Sequence, residues 1–543
     1  MMDVVAEYLG RHGPCLTSDV SEYLVQSQGL SAVAARKRVS RSPEPVKRLG
    51  FVIFPRRARF IYLEQQFGSA VYWHNLIDAL HATNSIYGHA LAALRLRDGI
   101  MPEQHFAIAC GAPVKQARHL SPETIVTRLQ KAGLVKTLPM AGLGNCIALV
   151  NEEEHYEQKA IILRARLTTE EILLAAVRDW VRKLGLVSYD RVKMRSGPAL
   201  PMVGTFAWDL SAPSYLSPMI RSDKRGGAKP GFFVCDVLFG RRLDVADVRP
   251  FITKCVTLRG LKNIGPCLQM FVAERYSREA FALLKKHGIV PATPRTLFGE
   301  EVAEALSEVT SVLISAAYAA LDPVKLDGLF RRLGKIEGAA TQLRGTLFEF
   351  LVASFWRSEG EDVDLNRIFK EGAQSAEVDV LIHRKRTAVK FIECKGYSPY
   401  GMVPDEEVRK WLEVRVPFLH KQALAHPDWR NHHYKFELWC SGQLSPESLA
   451  KIEEARGRIK KARYEIELLR GPEIMNLFAA GRDEAHAIAF EKHFLKPYEP
   501  EGFFGWEEEE EIAAASRAQA IGRDQTTAFE EMPMPRRDCI VEV

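Results

Sequence analysis

The sequence predicts a multidomain α/β protein, and three observations carry that expectation. At 543 residues it is too long for one core, because single domains run to roughly 100–200 residues. Its apolar share of 47% and charged share of 26% are those of a folded, water-soluble chain. Short helices and β-rich runs fill the first part, whereas the rest alternates apolar strands with amphipathic helices.

Composition narrows the function classes. No apolar run reaches the roughly 18 residues that a membrane span needs, so no membrane partner is expected. The start lacks a basic stretch followed by an apolar one, so no signal peptide is expected. Nine cysteines are scattered with no CxxC pair and no Cys/His cluster at zinc-ligand spacing, which fits a reducing cytoplasm. The formal charge is +6, but residues 501–543 hold eleven acidic and four basic residues and leave the remainder at about +13. That balance suits a polyanion. It also suits an ordinary basic surface.

Residues 1–66 read as three short helices and a hairpin: 4–11, a second helix capped at Thr17 or Ser18, and a third over 32–41 capped at Ser31. Two β-rich runs, 51–54 and 60–63, flank a basic turn. This order resembles a winged helix-turn-helix. The third helix would be the reader, with Arg36, Lys37, Arg38 and Arg41, and the wing would carry Arg56, Arg57 and Arg59. Basic residues on both elements are what phosphate contacts need, so the implied partner is DNA; the same module also serves protein docking. Residues 67–165 repeat the pattern less basically, with helices at 70–82, 89–97 and 123–132 and a hairpin over 134–138 and 146–150. That copy reads equally as a packing or dimer module.

Residues 166–325 read as an α/β middle domain. A helix spans 169–184, a loop-rich basic stretch 211–231, buried strands 232–239 and 267–273, a helix 277–287, and a long helix from 301 ends near Asp322 and Pro323. Strand 268–273, Ser277 and the following helix echo strand 436–441, Ser445 and its helix at the same spacing. Residues 205–300 are therefore either a nuclease-like fold without its catalytic residues, with Asp236 placed as Asp379 is, or a generic β-α unit. The acidic tail, 500–543, reads as poorly ordered.

The strongest signal lies in 335–480. A helix over 339–357 buries Leu343, Leu347, Phe350, Leu351, Ser354 and Phe355, with Glu349 on an adjoining face between Gly345 and Ala353. A strand over 377–382 places Glu377, Asp379 and Leu381 on one side. After a polar turn, strand 388–395 ends with Glu393 and Lys395 on one face and Cys394 turned into apolar packing. Downstream, Lys410, Trp411, Arg415, Lys421 and Gln422 on a helix are expected near the mouth of the site, as backbone contacts or as a solvated face. His432 and His433 are neighbours on a strand, point opposite ways and make no metal pair.

This constellation resembles the PD-(D/E)XK, or restriction endonuclease-like, nuclease superfamily. Glu349 on the helix, Asp379 on the first strand and Glu393, Cys394 and Lys395 on the next match its motif, with Val378 where many members carry Pro. The resemblance implies a C-terminal α/β nuclease domain that hydrolyses DNA with Mg²⁺ or Mn²⁺. It implies that Asp379, Glu393 and the Cys394 main-chain carbonyl bind metal, that Lys395 assists the attacking water, and that Glu349 joins the catalytic set. Winged modules before a nuclease domain look like modification-dependent restriction enzymes of the Mrr kind, although those use Gln-x-Lys. Defence against phage DNA, and a homodimer or larger defence or repair complex, follow only from that likeness. The competing readings are a DNA-binding scaffold or regulator with an inactive nuclease fold, and a structure-selective repair or transposition nuclease.

Overall fold

The computed structural model describes residues 3–496 apart from 84, 118, 141–142, 151–155, 198, 223–227, 262–263, 319–327, 330–331, 334–338, 373, 385–387, 431 and 459–463. The expected poorly ordered tail, the helix stop at Asp322 and Pro323, and the Arg56 side chain fall outside the described residues. The protein is a mixed α/β chain with several small sheets, and Met1–Pro497 form one compact unit. No helix among the described residues is long and apolar enough to cross a membrane.

The first module has helices Val4–His12, Thr17–Gln28 and Ala32–Ser40 beside a three-stranded antiparallel sheet. Ser31 caps the third helix by accepting the Ala34 amide hydrogen, as its sequence requires. The hairpin differs from expectation. Val46–Arg48, not 51–54, pairs with Phe60–Leu63. Phe51 turns the chain at φ 62°, and the run continues outside the ladder with Val52 and Phe54 buried and Phe51 and Ile53 exposed. The β-like alternation survives in burial without strand pairing. The second module adds helices Ala70–Ala82, Ile86–Arg95, Glu103–Ala109 and Pro122–Lys131 and strands Ile100–Pro102, Val135–Met140 and Gly144–Leu149. One apolar core joins the two modules, from Leu16 and Phe60 through Tyr72 and Leu91 to Ile147.

Helix α1, Tyr156–Lys183, begins earlier than its sequence pattern indicates and leads into a five-stranded sheet. Its strands are β1 (Lys193–Met194), β2 (Leu210–Ser214), β3 (Gly231–Leu243), β4 (Cys267–Tyr276) and β5 (Val290–Ala292), in that spatial order. Strand β2 lies in a stretch expected to be loop. Helix α2 (Val245–Arg259) connects β3 to β4, and helix α3 (Arg278–Lys286) connects β4 to β5. Helix α4 (Glu300–Tyr318) packs against α1.

Helix α5 (Ala339–Ser358) opens the second five-stranded sheet: β6 (Val363–Glu371), β7 (Gln374–Arg384), β8 (Ala388–Lys395), β9 (His433–Cys440) and β10 (Glu465–Arg470). Strands β6, β7 and β8 are antiparallel neighbours, and β9 and β10 continue in parallel. Between β8 and β9, helix α6 (Asp405–Lys410) passes through a π-helical turn, Trp411–Arg415, into helix α7 (Val416–Ala425). Helix α8 (Pro446–Arg458) follows β9. The largest apolar core runs through α1, α4, α5 and the inner faces of both sheets; α1 packs on β3 and on α5, and α5 packs on the second sheet.

Candidate active site

Strands β7 and β8 are apolar on both faces: Val378, Val380, Leu381 and Ile382 are buried, as are Val389, Phe391, Ile392 and Cys394. A charged side chain in such a hairpin costs free energy unless it has partners. The antiparallel register pairs Val380 with Ile392 and so brings Asp379 beside Glu393. Asp379 Oδ2 accepts the Cys394 amide hydrogen at 2.7 Å, which fixes that carboxylate across the hairpin. Glu393 is buried; Lys395 Nζ lies 3.0 Å from its Oε1, and Arg415 bonds the same oxygen. Lys395 Nζ also meets Glu407 Oε2 at 2.9 Å, and the Tyr397 hydroxyl donates to Glu407 at 3.4 Å.

The end of β8 presses on α5. A Cβ at Gly396 would sit 2.6 Å from the Phe348 Cβ and 2.7 Å from the Arg344 carbonyl oxygen, so only glycine permits this approach. Glu349, next to Phe348, is thereby half-buried near the hairpin carboxylates. Asn366 of β6 stands beside Asp379 in the register, at φ 53°. With its amide oriented by its neighbours, Asn366 donates to Glu349 Oε2 at 3.2 Å and accepts from Arg164. Arg164 comes from α1, outside this sheet, and its Nη2 lies 3.7 Å from Glu377 Oε1.

The electrostatics are those of carboxylates crowded out of water. Burial pushes Asp379 well above the usual carboxylate range, and Glu393 and Glu349 push the same way. Burial also raises Glu349, to about 8; Arg164 opposes the shift, while Glu377 and Glu393 add to it. Burial works against the charge of Lys395, but Glu393 and Asp379 outweigh it and hold the ammonium protonated. The cluster can retain protons or take up positive charge.

Asp379, Glu393 and Lys395 thus converge, with Glu349 within electrostatic reach. Among the described residues, no group of three or more His, Cys, Asp or Glu side chains is placed to hold a metal ion. The carboxylates that the hairpin brings together are those of Asp379 and Glu393. Trp411, expected near the mouth, is instead in the core, because the π-helical turn directs Arg415 to Glu393 and leaves Trp411 facing the sheet. Lys421 and Gln422 bond Glu371 at the far end of β6. Sequence reading missed Asn366, Glu407 and Arg164. The first two carried faint signals, an Asn suited to a left-handed backbone and an acidic helix start. Arg164 carried none, since its contact is purely tertiary.

Arg36, Lys37, Arg38 and Arg41 are all exposed on or just after the third helix of the first module, and Arg57 and Arg59 are exposed in the loop before Phe60. Arg38 approaches Asp3 at 4.0 Å.

Among solved structures, the chain is similar to the restriction endonuclease FokI across 83% of this chain and 81% of that one, at 12% identity and a TM-score of 0.19. No family model and no curated protein matches the chain.

Proposed function

We propose that the chain is a metal-dependent DNA endonuclease of the PD-(D/E)XK kind, with Asp379, Glu393 and Lys395 as its catalytic centre and Glu349 in support. The observation that carries the reading is the hairpin pair: Asp379, pinned by the Cys394 amide, beside a buried Glu393 that holds Lys395 at 3.0 Å. Two carboxylates and one carbonyl suit Mg²⁺, which keeps several waters and uses only one or two protein carboxylates. The raised proton affinities of Asp379 and Glu349 mark a cluster short of positive charge, and oxygen donors without thiolates favour Mg²⁺ or Mn²⁺ over zinc. When bound, the cation would screen the phosphate and make water a better nucleophile. Lys395, charged and aimed at Glu393, would orient that water and balance charge developing on the phosphate. Glu407 and Tyr397 would hold the lysine in place. The first module would act as a winged helix that grips DNA through Arg36, Lys37, Arg38, Arg41, Arg57 and Arg59.

A DNA-binding scaffold is the second reading, favoured by one observation: Arg415 bonds Glu393 and Arg164 approaches Glu377, so guanidinium groups already partner these carboxylates. Incubation with supercoiled plasmid, linear duplex and single-stranded DNA separates the two. Cleavage is expected with Mg²⁺ or Mn²⁺, none in excess EDTA, and no loss with a zinc-selective chelator. Cleavage in EDTA would exclude this metal site, and binding without cutting under either cation would favour the scaffold.

A further inference from the structure

We infer that the middle domain is another copy of the C-terminal α/β unit, in which Arg195 and Lys254 permanently supply the positive charge that a divalent cation brings to the working copy. The duplication rests on topology and register alone; the cation part rests on the proposed nuclease reading. Both sheets follow a helix, α1 or α5. Both run antiparallel, antiparallel, parallel, parallel in one spatial order. The serine caps recur after the fourth strand: Ser277 accepts the Ala280 amide hydrogen at 3.2 Å, and Ser445 accepts that of Ser448 at 3.0 Å.

The register then aligns the sites residue by residue. Leu210 pairs with Cys235 as Val380 pairs with Ile392, so Asp209 matches Asp379 and Asp236 matches Glu393. Asp209 Oδ2 accepts the Val237 amide hydrogen at 2.8 Å, the counterpart of the 2.7 Å bond from Cys394 to Asp379. In this alignment the place of Asp379, expected for Asp236, goes to Asp209, which lies just before β2. Leu238 stands where Lys395 stands, so the first copy lacks the lysine.

The decisive difference lies at the end of the first strand. Leu210 pairs with Met194 and Val380 pairs with Leu365, which puts Arg195 where the second copy has Asn366. Asn366 is an uncharged bridge to Glu349. Arg195 instead reaches Asp209 Oδ1 at 3.1 Å, Glu170 Oε2 of α1 at 2.9 Å and Glu171 Oε1 at 2.6 Å. Lys254 of α2 meets Asp236 Oδ2 at 2.5 Å. Arg195 is 2% exposed here and Lys254 1%, whereas Lys395 is 18% exposed. The Arg195 guanidinium on the counterpart of Asp379 and the Lys254 ammonium on the counterpart of Glu393 give this cluster the positive charge a hard cation would bring.

Calorimetric titration of the full chain with Mn²⁺, without DNA, tests this using Arg195→Asn, which restores the residue type of the second copy. The wild type should show binding that Asp379→Ala abolishes. Arg195→Asn should gain a second binding event, lost again on adding Asp209→Asn, and Mn²⁺ should recover much of the several-degree fall in melting temperature the variant suffers. A folded Arg195→Asn chain with no added binding overturns the inference. Should Arg195→Asn not fold, the Asp379→Ala chain decides: no residual Mn²⁺ binding supports the inference, and residual binding removed by Asp209→Asn overturns it. A gained site in Arg195→Asn alongside a wild type that binds no Mn²⁺ would leave the duplication standing and defeat the nuclease reading alone.

Discussion

At Glu349, burial and the neighbouring Glu377 and Glu393 keep the proton on the carboxyl up to a pKa of about 8, against Arg164. In an unfolded chain the same group titrates near ~4.3. Between those values the folded state holds a proton that the unfolded state has lost, so stability falls as pH rises through the window, and the fall is complete above the folded value. Glu349→Gln removes this titration. Thermal unfolding in EDTA, from about pH 5 to about pH 9, should show a steeper decline for the wild type than for the variant. Parallel declines would mean that Glu349 is ionised throughout and that its burial carries no charge penalty. The residues found easily in the sequence, Asp379, Glu393 and Lys395, sit within one hairpin, where period-two alternation fixes their faces. Arg415 reaches Glu393 and Arg164 approaches Glu377 from other elements, and no local pattern encodes those pairings.

The helix Ala32–Ser40 was legible because a serine cap and an amphipathic run define it locally. Its function is testable at the same scale. Replacing Arg36, Lys37, Arg38 and Arg41 with Ala should weaken DNA binding and flatten its salt dependence by about 0.9 in log K per log salt for each phosphate no longer neutralised. Replacing Arg275, Arg278, Lys285 and Lys286, exposed on and beside α3, serves as the control. Equal losses in titrations at several salt concentrations would make the first module a docking element and leave DNA binding to surface charge. Two strands that matter most were not legible. Strand β2 is Leu210–Ser214, whose Leu210, Ser211, Ala212 and Ser214 are all buried, so small and polar residues hide the apolar alternation. Strand β6 is half-polar, and Asn366 at φ 53° breaks its period. With them went Asp209, just before β2, and Asn366, and hence the match between the two halves.

Across the whole molecule, α1 gives Glu170 and Glu171 to the first sheet's ion cluster and Arg164 to the edge of the second site. The two sheets therefore share a structural element as well as a core. That arrangement explains why the fold class could be read from strand and helix alternation while the relation between the halves could not: it depends on register, which a single-sequence pattern leaves open. The central claim is that the hairpin of the second sheet cuts DNA. It is tested most directly by measuring plasmid cleavage in Mg²⁺ and duplex binding in EDTA on the same preparations of wild type, Asp379→Ala and Lys395→Ala. Each variant should lose cleavage by about 100-fold or more, as removal of a group acting in the transition state does, while its affinity for DNA stays within about twofold. Cleavage by Lys395→Ala at the wild-type rate would contradict the claim.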